Sequence, residues 1–153
     1  DSHSAAAQKQ FSDRLVRDTG PNSSDLEKAV AWARAEGADA ITVVGWSGGR
    51  LDHTLAALAL AFEGIQLHDD RFLVTAVAGS AEITALPGTL FSLMALPEAV
   101  VSVGGARWNL EQEPLTMGAR GMHNEVAAGG RVRIECHSGK LLLFEGNFQA
   151  LHD

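Results

Sequence analysis

The chain changes its hydrophobic pattern near residue 68, and this change limits the folds open to it. Up to Gly64 the apolar residues follow helical spacing on either side of one short strand. Beyond His68 they fall in short runs that glycine and proline separate, as in antiparallel β structure. The pattern predicts an α/β segment over residues 1–79, part of a parallel, Rossmann-like arrangement, followed by an all-β module over residues 80–153 that is an antiparallel meander or sandwich.

The first segment carries signals for helix, strand and helix in that order. Ser24 and Glu27 form a capping-box pattern before apolar residues at helical spacing, and Gly37 closes that helix. Residues 40–44 are short, apolar and β-branched, which predicts a buried strand. Residues 50–62, rich in leucine and alanine, predict a second helix after a glycine turn.

The second segment is predicted to consist of short strands. The candidates are residues 72–77, 82–86, 90–96, 99–103, 131–136 and 141–144. Residues 86–89 (LPGT) and 137–140 (HSGK) have the composition of hairpin connections between them.

Composition and charge exclude several classes of protein. Hydrophobic residues make up 46% of the 153 residues, which is enough for a buried core and argues against disorder. The net charge is −7 and the 12 lysines and arginines form no cluster, so a nucleic-acid groove is not expected. Cys136 is the single cysteine and forms no internal disulfide. With neither a signal peptide nor an apolar run of membrane-spanning length, the sequence predicts a cytoplasmic protein.

The glycine turn at residues 45–50 (GWSGGR) is the strongest candidate for a binding site. It lies between a predicted strand and a predicted helix, where unpaired backbone N–H groups and the helix dipole favour an anion. Gly48 and Gly49 allow a phosphate to approach the main chain, and Arg50 adds a bidentate donor. Asp52, in the first turn of the helix, is placed to hold a metal ion or to orient a substrate. The alternative is a glycine-rich turn with a surface Arg–Asp pair.

The same turn also satisfies the G-x-S-x-G pattern of serine hydrolases, with Ser47 as the nucleophile. Asp69 or Asp70 and then His123 or His137 follow in the order that such a triad has in α/β-hydrolases. That fold needs several more strand–helix units after the nucleophile, whereas this chain turns to short strands.

Three further positions have a functional and a structural interpretation. Asp25 and Lys28 share a face at the start of the first predicted helix, either as an ion pair or with Asp25 at a phosphate–metal site. Trp108 is either a core residue or a flat platform for an aromatic ligand. The six histidines have no zinc-like spacing, so a transition-metal site is not expected.

Taken together, these motifs resemble those of the thiamin pyrophosphokinase family. Residues 48–56 (GGRLDHTLA) are similar to its G-G-R-x-D-H-x-L-A segment, and residues 24–29 (SDLEKA) to its T-D-x-x-K-A segment. Asp1-Ser2 resembles the end of its G-D-x-D-S motif. Residues 105–110 (GARWNL) resemble G-L-K-W-x-L, and residues 121–125 (GMHNE) stand where the family has S-N-E.

The resemblance implies an enzyme that transfers the pyrophosphoryl group of ATP to thiamin, which gives thiamin diphosphate and AMP. It also implies an α/β catalytic domain, a C-terminal β-sandwich, and a homodimer with thiamin bound between the subunits. Because the chain begins inside the first motif, the resemblance predicts that the N-terminal part of the catalytic domain is missing from it.

The resemblance also assigns roles to individual residues. Asp1, Asp25 and Asp52 are expected to hold Mg²⁺, with Asp25, Asp52 and Arg50 as the catalytic residues. ATP is expected to bind at Ser47, Gly48, Gly49 and Arg50. Thiamin is expected to contact Trp108, His123 and Asn124.

The sequence departs from the family pattern at a few positions. Pro21 and Asn22 stand where the family has Lys or Gln followed by Asp, His123 replaces a serine, and Ala57 replaces an asparagine. The alternative interpretation is therefore a non-catalytic homologue that binds a nucleotide or thiamin, or one that acts on another alcohol.

Overall fold

The computed structural model of the chain describes residues 4–149, with the side chains of residues 4–146. Contacts within the chain divide it into two units, with the division between Ile41 and Thr42. The described part of the first unit contains two helices, α1 (Ala5–Gln10) and α2 (Asp25–Ala35). Helix α2 confirms the helix predicted from the capping pattern.

Helix α2 begins with the predicted capping box. The Ser24 hydroxyl accepts a hydrogen bond from the Glu27 backbone N–H at 3.3 Å. The Glu27 carboxylate in turn accepts one from the Ser24 backbone N–H at 2.6 Å. The Ser24 hydroxyl also donates to this carboxylate at 2.8 Å. The bond from the Ser24 backbone N–H and then that from its hydroxyl lower the pKa of Glu27. Two of the backbone donors at the start of the helix are thus satisfied locally.

Replacing Ser24 with alanine is expected to destabilise α2 by about 1 kcal/mol, because the N-cap acceptor is lost. Amide hydrogen exchange of residues 25–30 measures this loss. Ser24→Thr keeps a capping hydroxyl and serves as the matched control, so it should retain most of the protection. Equal protection in all three proteins would contradict a capping role for Ser24.

The described part of the second unit, residues 42–149, contains one α-helix and eight strands. The helix is α3 (Leu51–Ala61). The strands are β1 (Thr42–Val44), β2 (Gln66–His68), β3 (Phe72–Ala76), β4 (Ser80–Thr84), β5 (Thr89–Gly104), β6 (Leu110–Thr116), β7 (Asn124–Glu125) and β8 (Arg131–Gln149). No helix in residues 4–149 has both the length and the apolar character needed to cross a membrane.

The eight strands form one mixed sheet in the order β1-β2-β3-β8-β5-β6, with β4 paired to β8 and β7 paired to β5. Among the strands that the structure describes, only β1 and β2 run parallel, and the other pairs are antiparallel. Because α3 connects β1 to β2, these three elements form one strand–helix–strand unit. The architecture is a mixed sheet with few helices, and a single parallel pair does not establish the Rossmann-like arrangement.

Helix α3 packs on the sheet through a face of small and aliphatic residues. Ala57, Leu60 and Ala61 are buried, and the helix contacts β2 and β3. Ala57, where the family pattern has asparagine, is one of these packing residues. Strand β1 differs from the buried strand that we predicted, since Val44 is 72% exposed. The reason is its place at the edge of the sheet, where it pairs only with β2.

The long strands β5 and β8 organise the β-rich part of the unit. Each covers two of the strands predicted from the sequence, and they pair with each other along most of their length. Their inward residues, together with residues from neighbouring strands and turns, build one core, which is broadly consistent with the predicted sandwich. That core consists of Val77, Ile83, Phe91, Leu93, Ala95, Ala99, Val101, Val103, Ala106, Leu115, Val126, Val132, Ile134, Leu141 and Leu143.

The two predicted hairpin connections are wrong. Residues 137–140 continue β8, with register shifts against β5 near Ala99 and Val101. Residues 86–89 do form a turn, with the Thr89 N–H donating to the Leu86 carbonyl at 3.1 Å. However, β4 on one side of that turn pairs with β8 and not with β5. Composition therefore identified the turn at residues 86–89 correctly but not the strands on either side of it, and it did not identify residues 137–140 as strand.

Candidate active site

The glycine turn lies where the sequence predicted it, between β1 and the first residue of α3. Gly45 and Gly48 have φ angles of 69° and 85°, a region that side chains with a Cβ rarely adopt. Arg50 occupies the N-cap position, and no side chain caps the helix there. The first N–H groups of α3 therefore keep their capacity to donate to an anion.

Arg50 and Asp52 meet on the surface beside this turn. The guanidinium Nη2 lies 2.6 Å from one carboxylate oxygen of Asp52, and Nε lies 3.1 Å from the other. Both side chains are mostly exposed. The hydrogen bond from Arg50 is the main cause that lowers the pKa of Asp52. Asp52 is therefore ionised at neutral pH, and two of the predicted site residues lie in direct contact.

Ser47 is held by a residue from the β2–β3 turn. Its hydroxyl donates to Asp69 Oδ2 at 3.1 Å, while Asp69 Oδ1 accepts from the backbone N–H groups of Arg71 and Phe72, both at 2.8 Å. Partial burial alone would raise the pKa of Asp69, but these three hydrogen bonds together lower it. Asp69 thus acts as an ionised tie between two loops.

This arrangement does not support the serine hydrolase interpretation. Such an enzyme needs a histidine that accepts the serine proton. Within the described residues the hydroxyl of Ser47 donates to a carboxylate, and the Nε2 atom of His137 bonds instead to the hydroxyl of Ser102 at 2.8 Å. His123 lies just before β7, where its backbone N–H donates to Ser92 Oγ at 3.1 Å.

A fluorophosphonate probe is therefore expected to leave Ser47 unlabelled, because within the described residues its hydroxyl bonds to the Asp69 carboxylate and not to a histidine. Mass spectrometry of the treated protein checks this, with an active serine hydrolase as the positive control. Ser47→Ala provides the background for unspecific labelling. Stoichiometric adduct on Ser47 would instead restore the hydrolase interpretation.

Trp46, within the same turn, was not singled out by the sequence. Its indole Nε1 is buried and has no hydrogen-bond partner within residues 4–149. A buried donor without an acceptor destabilises the structure by about 1–3 kcal/mol. At a candidate site, a bound ligand can supply the missing hydrogen-bond acceptor. The sequence could not reveal this donor, because the burial of the Trp46 indole N–H depends on how the folded chain surrounds it.

In the first unit, Asp25 and Lys28 line a cavity of about 590 Å³. The Lys28 amine lies 4.0 Å from the Asp25 carboxylate and donates to the Asp18 carbonyl at 3.1 Å, so its side chain is only 12% exposed. Arg14 and Arg17 line the same cavity and were missed by the sequence analysis. With Asp18 also in the lining, the cavity brings three cations and two carboxylates together, a mixture that suits a polyphosphate carrying a divalent metal ion.

The third group of predicted residues lies on the β-rich part of the second unit. Trp108 is 51% exposed, whereas Asn124 is buried and only 8% exposed. The Asn124 side chain accepts from the Trp108 N–H at 3.2 Å and donates to the Trp108 carbonyl at 2.7 Å. The structure therefore brings Trp108 and Asn124 together, through the backbone of Trp108.

The predicted metal ligands were tested against the geometry. Asp1 lies outside the described residues. Within residues 4–149 there is no group of three or more His, Cys, Asp or Glu side chains placed to hold a metal ion. Mg²⁺, however, is commonly held by one or two carboxylates together with substrate phosphates. The half-exposed oxygens of Asp25 and Asp52 fit that donor chemistry.

Comparisons with known proteins agree along the length of the chain. The model of the thiamin pyrophosphokinase catalytic domain matches residues 1–71, and that of the thiamin pyrophosphokinase vitamin B1 binding domain matches residues 81–141. No curated protein matches the sequence.

Solved structures share the fold at low sequence identity. A thiamin pyrophosphokinase family protein from Enterococcus faecalis superposes with a TM-score of 0.80 at 18% identity, covering 97% of this chain and 77% of that one. Thiamine pyrophosphokinase from Bacillus subtilis gives 0.74 at 21% identity, with 84% of this chain and 65% of that one covered. The enzyme from Candida albicans gives 0.77 at 12% identity, with 96% and 71% covered. The chain thus spans about two thirds to three quarters of their lengths.

Proposed function

Because the chain belongs to the thiamin pyrophosphokinase family, we propose that it transfers the pyrophosphoryl group of ATP to thiamin. The observation that carries this proposal is the pair of family matches, a catalytic domain followed by a vitamin B1 binding domain. The order of the sequence motifs predicted this family, and the two matches confirm it.

The proposed reaction joins the hydroxyethyl oxygen of thiamin to the β-phosphorus of ATP. The bond between that phosphorus and the oxygen bridging to the α-phosphate breaks, AMP leaves, and the hydroxyl loses its proton. Such a transfer needs alignment of the reactants and neutralisation of the phosphate charge more than a strong nucleophile from the protein.

We assign the ATP phosphates to the start of α3. The space beside the Cα atoms of Gly48 and Gly49 is open, so a phosphate can approach the backbone of the turn there, and Ser47 is held beside them by Asp69. Arg50, always charged, adds guanidinium donors next to the same helix terminus. The Trp46 indole N–H is a further donor in this turn.

We assign Mg²⁺ to Asp25 and Asp52, together with Asp1. When bound, the metal ion would neutralise charge on the phosphates. Asp25 lines a cavity with Arg14, Arg17 and Lys28, so anionic oxygens entering that cavity meet several cations. Asp52 is kept ionised by Arg50, which is the state that a metal ligand requires.

We assign thiamin to the surface around Trp108, with His123 and Asn124. Trp108 presents a half-exposed indole, a flat surface suited to an aromatic heterocycle. Asn124 supports it through the backbone. His123 lies directly before β7 with a φ angle of 59°, and its backbone N–H donates to the Ser92 hydroxyl at 3.1 Å.

The domain organisation, the compartment and the oligomeric state are part of the same proposal. We propose a Rossmann-like catalytic domain up to residue 79, built around β1, α3 and β2, and a thiamin-binding sandwich over residues 80–153. The boundaries of the two family matches, at residues 71 and 81, support this division. We further propose a cytoplasmic homodimer with thiamin bound between subunits.

The test is to incubate the protein with ATP, Mg²⁺ and thiamin and to measure AMP and thiamin diphosphate by chromatography. Equal amounts of both products, formed only when thiamin is present, would support the proposal. Folded protein that binds ATP or thiamin in calorimetry but forms no AMP would instead establish a non-catalytic binding homologue. Asp25→Asn removes a proposed metal ligand and should lower AMP formation. Asp39→Asn removes another exposed carboxylate charge in the first unit and is its matched control.

A further inference from the structure

Arg107 covers one face of the Trp108 ring. Its guanidinium carbon lies 4.6 Å from the centroid of the indole, within the range of a cation–π contact. The same guanidinium donates from Nη1 to both carboxylate oxygens of Glu125, at 3.0 and 3.2 Å. Arg107 is therefore held between the ring and a carboxylate, although it is 60% exposed.

The backbone beneath this pair is fixed by Asn124. Its side-chain oxygen accepts from the N–H groups of Trp108 and Glu125, at 3.2 and 2.9 Å, and its amide nitrogen donates to the Trp108 carbonyl at 2.7 Å. The Arg107 N–H donates to the Glu125 carbonyl at 2.9 Å. Both ends of the Asn124 amide are thus used on the main chain, so Asn124 positions Trp108.

These contacts leave Trp108 with a fixed backbone, one face against Arg107, and about half of its surface exposed. A large aromatic side chain held in this way loses little conformational entropy when a flat ligand stacks on it. Glu125 also neutralises the charge of Arg107, which removes a repulsion against a cationic ligand.

We propose that Arg107, held by Glu125, is a positioning residue that fixes the orientation of the Trp108 ring so that the opposite face can stack on an aromatic ring of thiamin. The choice of thiamin rests on the proposed function. Arg107 itself does not touch the substrate in this proposal. It acts through the indole ring, whose orientation it sets.

The experiment compares Arg107→Ala and Arg107→Lys with the unmodified protein in two measurements. The first, without ligand, follows the indole N–H resonance of Trp108 by NMR, assigned with Trp108→Phe. The second measures the KM for thiamin and kcat separately. Arg107→Ala is expected to shift the Trp108 resonance and to raise the KM about 5-fold with kcat within about 2-fold. Lysine keeps the positive charge but not the planar guanidinium group, so Arg107→Lys should show a smaller resonance shift and a smaller rise in KM than Arg107→Ala.

Arg120→Ala is the matched control, since Arg120 forms a comparably exposed ion pair with Glu113 at 2.5 Å. It should leave the Trp108 resonance and the KM unchanged. An unshifted Trp108 resonance in Arg107→Ala, or an unchanged KM beside a shifted resonance, would overturn the positioning role. If the unmodified protein neither binds nor converts thiamin, the proposed function and the choice of thiamin fail, and the ligand-free resonance alone decides whether Arg107 orients the ring.

Discussion

Replacing Asp52 with asparagine is expected to reduce the formation of thiamin diphosphate by about 100-fold, with little change in the melting temperature. The physical reason is that the carboxylate carries a charge which the proposed metal–phosphate site needs, whereas asparagine is neutral. Stability should hardly change, because the pair of Asp52 with Arg50 is exposed and such pairs contribute little to folding. Asparagine can still accept a hydrogen bond from Arg50.

The measurement combines steady-state kinetics with thermal unfolding on the same preparations. Glu82→Gln is the matched control, because Glu82 forms a similar exposed ion pair with Arg131, at 3.1 Å, outside the proposed site. Its turnover should stay close to that of the unmodified protein. If Asp52→Asn lowered the melting temperature in proportion to turnover, the residue would have a structural role.

Local patterns were enough to predict the parts of the fold that depend on neighbouring residues. The capping box of α2 joins Ser24 to Glu27, and the turn before α3 depends on glycines at 45 and 48, so both can be recognised within a few residues. Strand pairing depends on residues far apart, and there the sequence was less informative. Strand β6 was missed because its residues, LEQEPLT, are mostly polar and include Pro114, a composition compatible with its place at the edge of the sheet.

In the candidate site, too, contacts between neighbouring residues could be predicted and contacts between distant residues could not. Arg50 and Asp52 are two residues apart, so their contact could be expected from the motif. The tie between Ser47 and Asp69 spans 22 residues, and the support of Trp108 by Asn124 spans 16. Neither could be derived from spacing, because both depend on how strands and turns meet in the folded chain. The contact of Asn124 with thiamin stays a prediction, and what spacing could not show is that its buried amide bonds to the main chain of Trp108.

Gly139 distinguishes the predicted hairpin from the observed continuous strand, because the two predict different effects of adding a Cβ at this position. In an exposed hairpin loop, alanine at this position would meet open space. In the structure Gly139 lies opposite Ala99 of β5, with a φ angle of 84°. An added Cβ would lie against the Glu98 carbonyl and 2.7 Å from the Ala99 Cα atom. Both obstacles are backbone atoms, which cannot rotate away.

Gly139→Ala is therefore expected to lower the free energy of unfolding by roughly 3 kcal/mol or more, since it combines an unfavourable φ with a steric overlap in the central strand pair. Denaturant unfolding measures the loss. Gly79→Ala is the matched control, because Gly79 has a φ angle of 81° but open space around its Cα, so only the backbone penalty of about 1–2 kcal/mol applies. Equal losses in the two variants would mean that β8 does not pass Ala99 as closely as the pairing requires.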